Sequence, residues 1–162
     1  VKIRPLIRVI RVSIIYQRMD ITYYKALPEN RPALESLLKS LSLPTEDLPA
    51  DLSGFTLAFD GPVLVGSAGV EQVGKVGLLR SVAVAASHRS LGVAAHVFQS
   101  AIDNARKTGI DDIWLITNTA DHYFERHGFE RVPRENAPAD ISGTAQFAGL
   151  CPSSAVVMYK KV

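Results

Sequence analysis

The apolar positions between residues 21 and 162 switch repeatedly between a period of two and a period near 3.6, and each switch marks an element. Ile21–Leu27 is rich in β-branched and aromatic residues and ends at Pro28, which predicts a first strand. Pro28 to Pro32 reads as a helix entry, and Leu34, Leu37, Leu38 and Leu41 then recur at helical spacing until Pro44 stops them. A polar loop covers 45–53. Two extended apolar runs, Phe55–Phe59 and Val63–Val73, flank Asp60-Gly61-Pro62, the signature of a β-hairpin. Gly77–Ala85 follows the short Gly74-Lys75 break, so a third strand of the same meander is expected. Leu91, Ala94, Ala95, Phe98, Ala101, Ile102 and Ala105 share one helical face that ends in a basic turn and Gly109. Ile113–Thr117 reads as a buried strand, Ala120–His127 as a short helix stopped by Gly128, Phe129–Val132 as a strand start and Ala155–Tyr159 as the last strand. The order β α β β β α β α β, a loop or short helix, then β, predicts one α+β domain with a mixed sheet.

Composition narrows the function classes. Apolar residues make up 47% of the 162 and charged residues 21%, values typical of a globular domain rather than a disordered or fibrous chain. Eighteen Lys and Arg against sixteen Asp and Glu leave a net charge of +2, too small a surplus to argue for nucleic acid. The surplus is also misplaced for that purpose, because Lys2, Arg4, Arg8, Arg11 and Arg18 all lie in 1–18, where no acid occurs. That segment is expected to be a basic N-terminal extension preceding a single domain over 19–162; an Arg-rich transit peptide is the other reading. No run of eighteen apolar residues exists, so no membrane partner is expected. Cys151 is the single cysteine, which excludes an internal disulfide framework or a Cys-rich metal site and makes the cytoplasm the expected compartment. The four histidines, His88, His96, His122 and His127, fit no metal set by spacing and are expected to serve packing.

Two glycine-containing segments invite a phosphate-binding reading, and only one sustains it. Gly69-Val-Glu-Gln-Val-Gly74-Lys75 has the spacing of a P-loop, but Val76 follows where Ser or Thr is needed and a strand follows where a helix is needed, so a β-turn is expected. The run from Val82 to Ala94 is different: an apolar strand passes through Arg89-Ser90-Leu91-Gly92-Val93-Ala94 directly into an amphipathic helix. Unpaired backbone N–H groups at that helix start would cradle a diphosphate, with Gly92 and Ala94 keeping the backbone approachable.

After the helix comes Ile113–Phe129, a strand, a short helix and a Gly-Phe exit whose Gly128 lies 36 residues after Gly92. Together with Arg-x-x-Gly-x-Ala, this unit resembles the GNAT superfamily of acyl-CoA-dependent N-acyltransferases over essentially the whole chain from residue 20. Leu115-Ile-Thr-Asn-Thr-Ala120 and Tyr123-Phe-x-x-x-Gly-Phe129 are similar to the acetyltransferase part of N-acetylglutamate synthases. Leu78-Leu-Arg-Ser-Val-Ala-Val84 and Gln146-Phe-x-x-Leu-Cys-Pro-Ser-Ser-Ala155 are similar to GNAT proteins of arsenic-resistance operons. The resemblance implies a GNAT fold whose fourth and fifth strands splay apart around an acyl thioester, acetyl-CoA as co-substrate, and a small amino-acid-like amine arriving from the opposite side. It implies that the backbone of Val82, Ala83 and Val84 pairs with the pantetheine arm and that Arg89, Ser90, Leu91, Gly92, Val93 and Ala94 hold the diphosphate. Asn118 and Phe124 join the cofactor site, and Thr117 the acceptor site. A small-molecule amine is the expected partner, and a homodimer is a candidate assembly.

Two departures from the family pattern bear on chemistry. The family's proton-donating Tyr falls at Phe124, with Tyr123 one residue earlier and about 100° round the helix. A family base falls at Leu78. Glu71 on the preceding strand is the substitute base, or else a solvated strand-edge carboxylate. Alternation places Leu78, Arg80, Val82 and Val84 on one face, so Arg80 either binds a substrate carboxylate or pairs with Glu71 across the hairpin. Cys151 packs in a loop or, in the arsenic context, touches arsenic through its thiol. The other functional readings are a non-catalytic acyl-CoA-binding module and a protein or peptide N-acetyltransferase.

Overall fold

The hairpin signal at Asp60-Gly61-Pro62 is realised as two long antiparallel strands, β2 (Phe55–Asp60) and β3 (Val63–Val73), with Gly61 in the left-handed conformation that the turn requires. The computed structural model describes residues 20–162. The expected basic extension over 1–18 therefore lies outside the described residues. β1 (Ile21–Lys25) pairs antiparallel with β2, and β4 (Val76–Val84) completes the meander after the Gly74-Lys75 turn. This disposes of the P-loop spacing, since Gly69–Val73 is strand and Gly74 is a turn residue at φ 61°. α1 (Arg31–Ser40), α2 (Val93–Lys107), β5 (Asp112–Thr117), α3 (Asp121–Arg126), β6 (Glu130–Arg131), α4 (Ala139–Ser142) and β7 (Val156–Lys161) follow the predicted order.

The seven strands form one mixed sheet in the order β1-β2-β3-β4-β5-β7-β6, and β4 with β5 is its one parallel pair. Strand alternation divides the core between the two faces. Ala58, Val70, Leu79, Ile113, Leu115 and Met158 meet α2 and α3 on one face. On the other, Phe55, Leu57 and Ala83 meet α1, while Leu78, Trp114 and Val157 meet Ile141 of α4 and Phe147. The start of α2 lies tight against the sheet because Gly66 has no side chain: a Cβ there would stand 2.7 Å from Cγ1 of Val93.

β4 is not regular. Ser67 pairs with Ala83 and Gly69 with Arg80, so two β4 residues, Ser81 and Val82, face the single Ala68. Ser81 takes φ 55°, and its carbonyl accepts a hydrogen bond from the buried Ser67 hydroxyl at 2.7 Å. The expected alternation across 78–84 is corrected by this bulge. Leu78 packs on the α1 and α4 face, whereas Val82 and Val84 pack with α2. Arg80, opposite Gly69, whose own face is covered by the Phe55 ring, stays with Leu78. One extra residue reverses the parity of everything beyond it.

Candidate active site

The parallel ladder between β4 and β5 joins Gly77 to Ile113 and Leu78 to Trp114 and then stops. Beyond it the strands part around a cleft of about 730 Å³ that passes from one face of the sheet to the other. Ala85 donates its N–H to Val65, so alternation turns the peptide groups of Val84 and Val82 away from β3, toward the opening. Unpaired peptide groups in a cleft wall are the complement of an amide-bearing chain. Val82 and Val84 line the cleft, while Ala83 directs its buried side chain into the α1 core.

At the α2 end, the turn Arg89–Gly92 carries two left-handed residues, Ser90 at φ 64° and Gly92 at φ 76°. Gly92 is the N-cap of α2, no side chain caps it, and His96 makes the first helical bond back to its carbonyl. The N–H groups of Gly92, Val93, Ala94 and Ala95 are thus left for an outside acceptor. Gly92, Val93 and Ala94 line the cleft with Arg89 and Ser90, and a Cβ on Gly92 would meet nothing within 4 Å, so the space above the turn is open. Leu91 is the exception in this segment: it is exposed and does not line the cleft. The residues fit a diphosphate and, with the strand edge beside them, the arm that follows it in CoA.

Opposite β4, Thr117, Asn118, Tyr123 and Phe124 form the second wall. Thr117 accepts a hydrogen bond from the N–H of Ala120 at 3.1 Å and so shapes the entry to α3. Phe124 is buried against Phe98 and Phe129, with its edge in the cleft. Tyr123 lies beside His127 at a ring separation of 4.7 Å; desolvation raises the phenol above its ordinary range, and the nearby Arg126 opposes this. His127, which the spacing argument left to packing, also lines the cleft. Burial, then Arg126 and Lys160, push its imidazole down, so it is neutral near pH 7. His88 reaches the same cleft but is held between Asp60, 2.8 Å from Nε2, and Ser87, 2.7 Å from Nδ1.

At the other end the walls are Leu41–Pro44, Arg80 with Ser81, and Gln146, Leu150 and Cys151. Arg80, its side chain 1% exposed, donates to Glu71 at 2.9 Å, to the Asp47 carboxylate at 2.6 Å and to the Asp47 carbonyl at 2.9 Å. Glu71 is engaged with Arg80 and lines a separate, smaller depression of about 290 Å³ with Asp47 and Asp140. The expectation of Glu71 as a base in the cleft is corrected accordingly: among the described residues no Asp or Glu lines the cleft at all. Burial, with a smaller push from Asp47, raises the Cys151 thiol above its usual range, so it is a neutral wall residue at pH 7. Among the described residues, no group of His, Cys, Asp and Glu could hold a metal ion. No local pattern marks Asp47, Gln146 or His127, because they reach Arg80 or the cleft through space; the segment around Gln146 is similar to the arsenic-operon proteins, but its spacing gives Gln146 no role.

No curated protein matches the chain in sequence. Solved structures do share its architecture. The N-acetylglutamate synthase of Neisseria gonorrhoeae, complexed with coenzyme A and N-acetyl-glutamate, superposes with TM-score 0.75 at 17% identity over 87% of this chain and 35% of that one. This chain thus spans about a third of that synthase. A GNAT-family acetyltransferase of Staphylococcus aureus Mu50 gives 0.71 at 17% identity, over 87% and 98% of the two chains. The PaiA N-acetyltransferase of Thermoplasma acidophilum, in complex with coenzyme A, gives 0.64 at 14%, over 89% and 100%. Likenesses this remote establish the fold: the mixed sheet with its parallel, parting β4–β5 pair is the GNAT fold. The family model for the acetyltransferase (GNAT) family matches residues 16–129, which hold both the uncapped α2 turn and the parted strands, and the chain belongs to that family.

Proposed function

We propose that this acetyltransferase acts on the amine of a small amino-acid-like acceptor that enters from the α1 face of the sheet. The observation that carries this reading is the buried Arg80 at the inner end of the cleft, on the face opposite the diphosphate turn. Its guanidinium has five N–H groups. Three are taken by Asp47 and Glu71, and Nε lies 3.4 Å from the Ser81 hydroxyl, which leaves one on Nη2 for an acceptor carboxylate. Because two carboxylates fix the guanidinium, meeting a ligand requires no reorganisation.

Bound acetyl-CoA supplies the activated acetyl thioester. In this reading the N–H groups of Gly92, Val93, Ala94 and Ala95 hold the diphosphate, the peptide groups of Val82 and Val84 align the pantetheine arm, and Asn118 and Phe124 close its far side. Ala83 contributes spacing alone and Leu91 nothing. The amine nitrogen bonds to the acetyl carbon as the carbon–sulfur bond breaks, and a proton must leave nitrogen while one reaches sulfur. With no carboxylate in the cleft, the amine proton passes to water, assisted by the neutral His127. Tyr123, kept protonated by desolvation and without a hydrogen-bond partner among the described residues, is the donor to sulfur. Thr117, turned toward α3, positions rather than binds.

No helix among the described residues is long and apolar enough to cross a membrane, and the free Cys151 supports placing the activity in the reducing cytoplasm. The test is thiol release from acetyl-CoA with a panel of amino acids, an arsenic-bearing amino acid, peptides with free N-termini and polyamines. Turnover confined to small amino acids is expected, with the arsenic-bearing member probing the operon resemblance. Turnover with peptides alone would replace the reading with peptide acetylation, and acetyl-CoA binding with no acceptor turned over would overturn it.

A further inference from the structure

Resting on the small-acceptor reading, we infer that Gln146 is the specificity-determining residue of the acceptor site and selects an amine carrying an uncharged carboxamide-type group over its carboxylate counterpart. Gln146 is 7% exposed, its carboxamide makes no hydrogen bond within the described residues, and it lines the cleft on the acceptor side with Leu150 and Cys151. Its amide atoms are not sealed from solvent, so their unused donors and acceptor are open to a ligand in the cleft.

The residue is held in place. It opens the turn Gln146–Leu150, where its own carbonyl accepts the N–H of Cys151 at 3.0 Å and Ala148 donates to Thr144 at 2.9 Å. Arg134 donates to the Phe147 carbonyl at 2.9 Å, and the Phe147 ring is packed in the cluster with Leu78 and Trp114. The backbone is thereby anchored on both sides of the side chain, so the amide is presented and need not be ordered on binding.

Charge decides what it is presented to. Arg80 and Arg89 are the Lys or Arg residues lining the cleft among the described residues, and Arg89 stands at the diphosphate end. Arg80 has one free N–H, which the acceptor's α-carboxylate takes. Arg134 lies behind the 146–150 turn and does not line the cleft. A second carboxylate would therefore find no cation, and against Gln146 it would set oxygen facing Oε1. A carboxamide offers a donor beside an acceptor and matches both edges of the Gln146 amide. Discrimination by hydrogen bonding of this kind rejects the mismatched analogue more strongly than an apolar pocket does.

The experiment compares kcat/KM for the isosteric pairs glutamine with glutamate and asparagine with aspartate, in the wild type and in Gln146→Met. The wild type is expected to prefer the carboxamide member of the better pair by tenfold or more. Gln146→Met should bring that ratio close to one through KM for the acceptor, while KM for acetyl-CoA and the melting temperature hold. Gln146→Leu, should the Met variant fold poorly, provides the same comparison. Turnover with a wild-type ratio near one, or a ratio that survives loss of the amide in a folded variant, overturns the assignment of Gln146 alone. Turnover of none of the four overturns the small-acceptor reading itself.

Discussion

Arg80 illustrates how a single buried charge divides its partners by exposure. Asp47 supplies both a carboxylate and a carbonyl to it, and the Asp47 side chain is largely enclosed, whereas that of Glu71 is 28% exposed. Asp47→Ala should lower the unfolding free energy by about 1.5–3 kcal/mol, the range for a hydrogen bond to a charged group. Glu71→Gln should cost roughly 1 kcal/mol or less, because water reaches the site of the lost charge. Denaturant melts of the two variants check the order. The same Glu71→Gln protein should keep kcat, since Glu71 stands outside the cleft; a hundredfold fall would restore it as the general base. Gly92 poses a different demand on its position. With φ 76° and open space where a Cβ would go, Gly92→Ala should fold and lose about 1–2 kcal/mol to the left-handed backbone. Gly92→Glu should also fold but bind no CoA by calorimetry, because a carboxylate would occupy the place of the diphosphate. Unchanged affinity would remove the turn from the cofactor site.

Among the elements, β4 carries the decisive irregularity. A β-branched residue cannot adopt φ 55° without strain, so Ser81→Val should lose about 1–3 kcal/mol and raise KM for acetyl-CoA as Val82 and Val84 shift in the wall. Ser81→Gly, which suits that conformation, should keep both properties near wild type. Equal behaviour of the two variants in melts and kinetics would mean that the bulge matters to neither. Ser67 holds the bulge by its hydroxyl at 2.7 Å from the Ser81 carbonyl, a contact fourteen residues distant in sequence. No local pattern in β3 or β4 announces it.

At the scale of the whole chain, the apolar positions of 1–18 match neither a helical face nor clean strand alternation. A chain beginning at Met19 is therefore proposed to retain the melting temperature and CoA affinity of the full sequence. A fall of more than a few degrees would make residues 1–18 part of the domain. The cleft is likewise a property of the whole sheet: one end lies beneath α2 and the other beneath α1 and the 146–151 segment, so donor and acceptor approach from opposite faces.

Periodicity alone determined the number, kind and order of the main elements, because each must bury one face and the apolar spacing records which. Turn chemistry added the hairpin at Asp60-Gly61 and the glycine start of α2, since only certain residues tolerate those backbone angles. The diphosphate turn was legible for the same reason: it is made by consecutive residues. Tertiary structure decided the rest. Alternation assigned Arg80 to the face of Val82 and Val84, and the Ser81 bulge, formed only when β3 and β4 pair, put it on the other. Glu71 faces Leu78, where the family base falls, yet it is engaged by Arg80, which Asp47, from the loop after α1, helps it to hold. Gln146 and His127 line one cleft although they lie nineteen residues apart in sequence, with β6 between them. Local propensity is written along the chain, whereas parity across a bulge and the meeting of distant side chains depend on strand register, which exists only once the strands have paired.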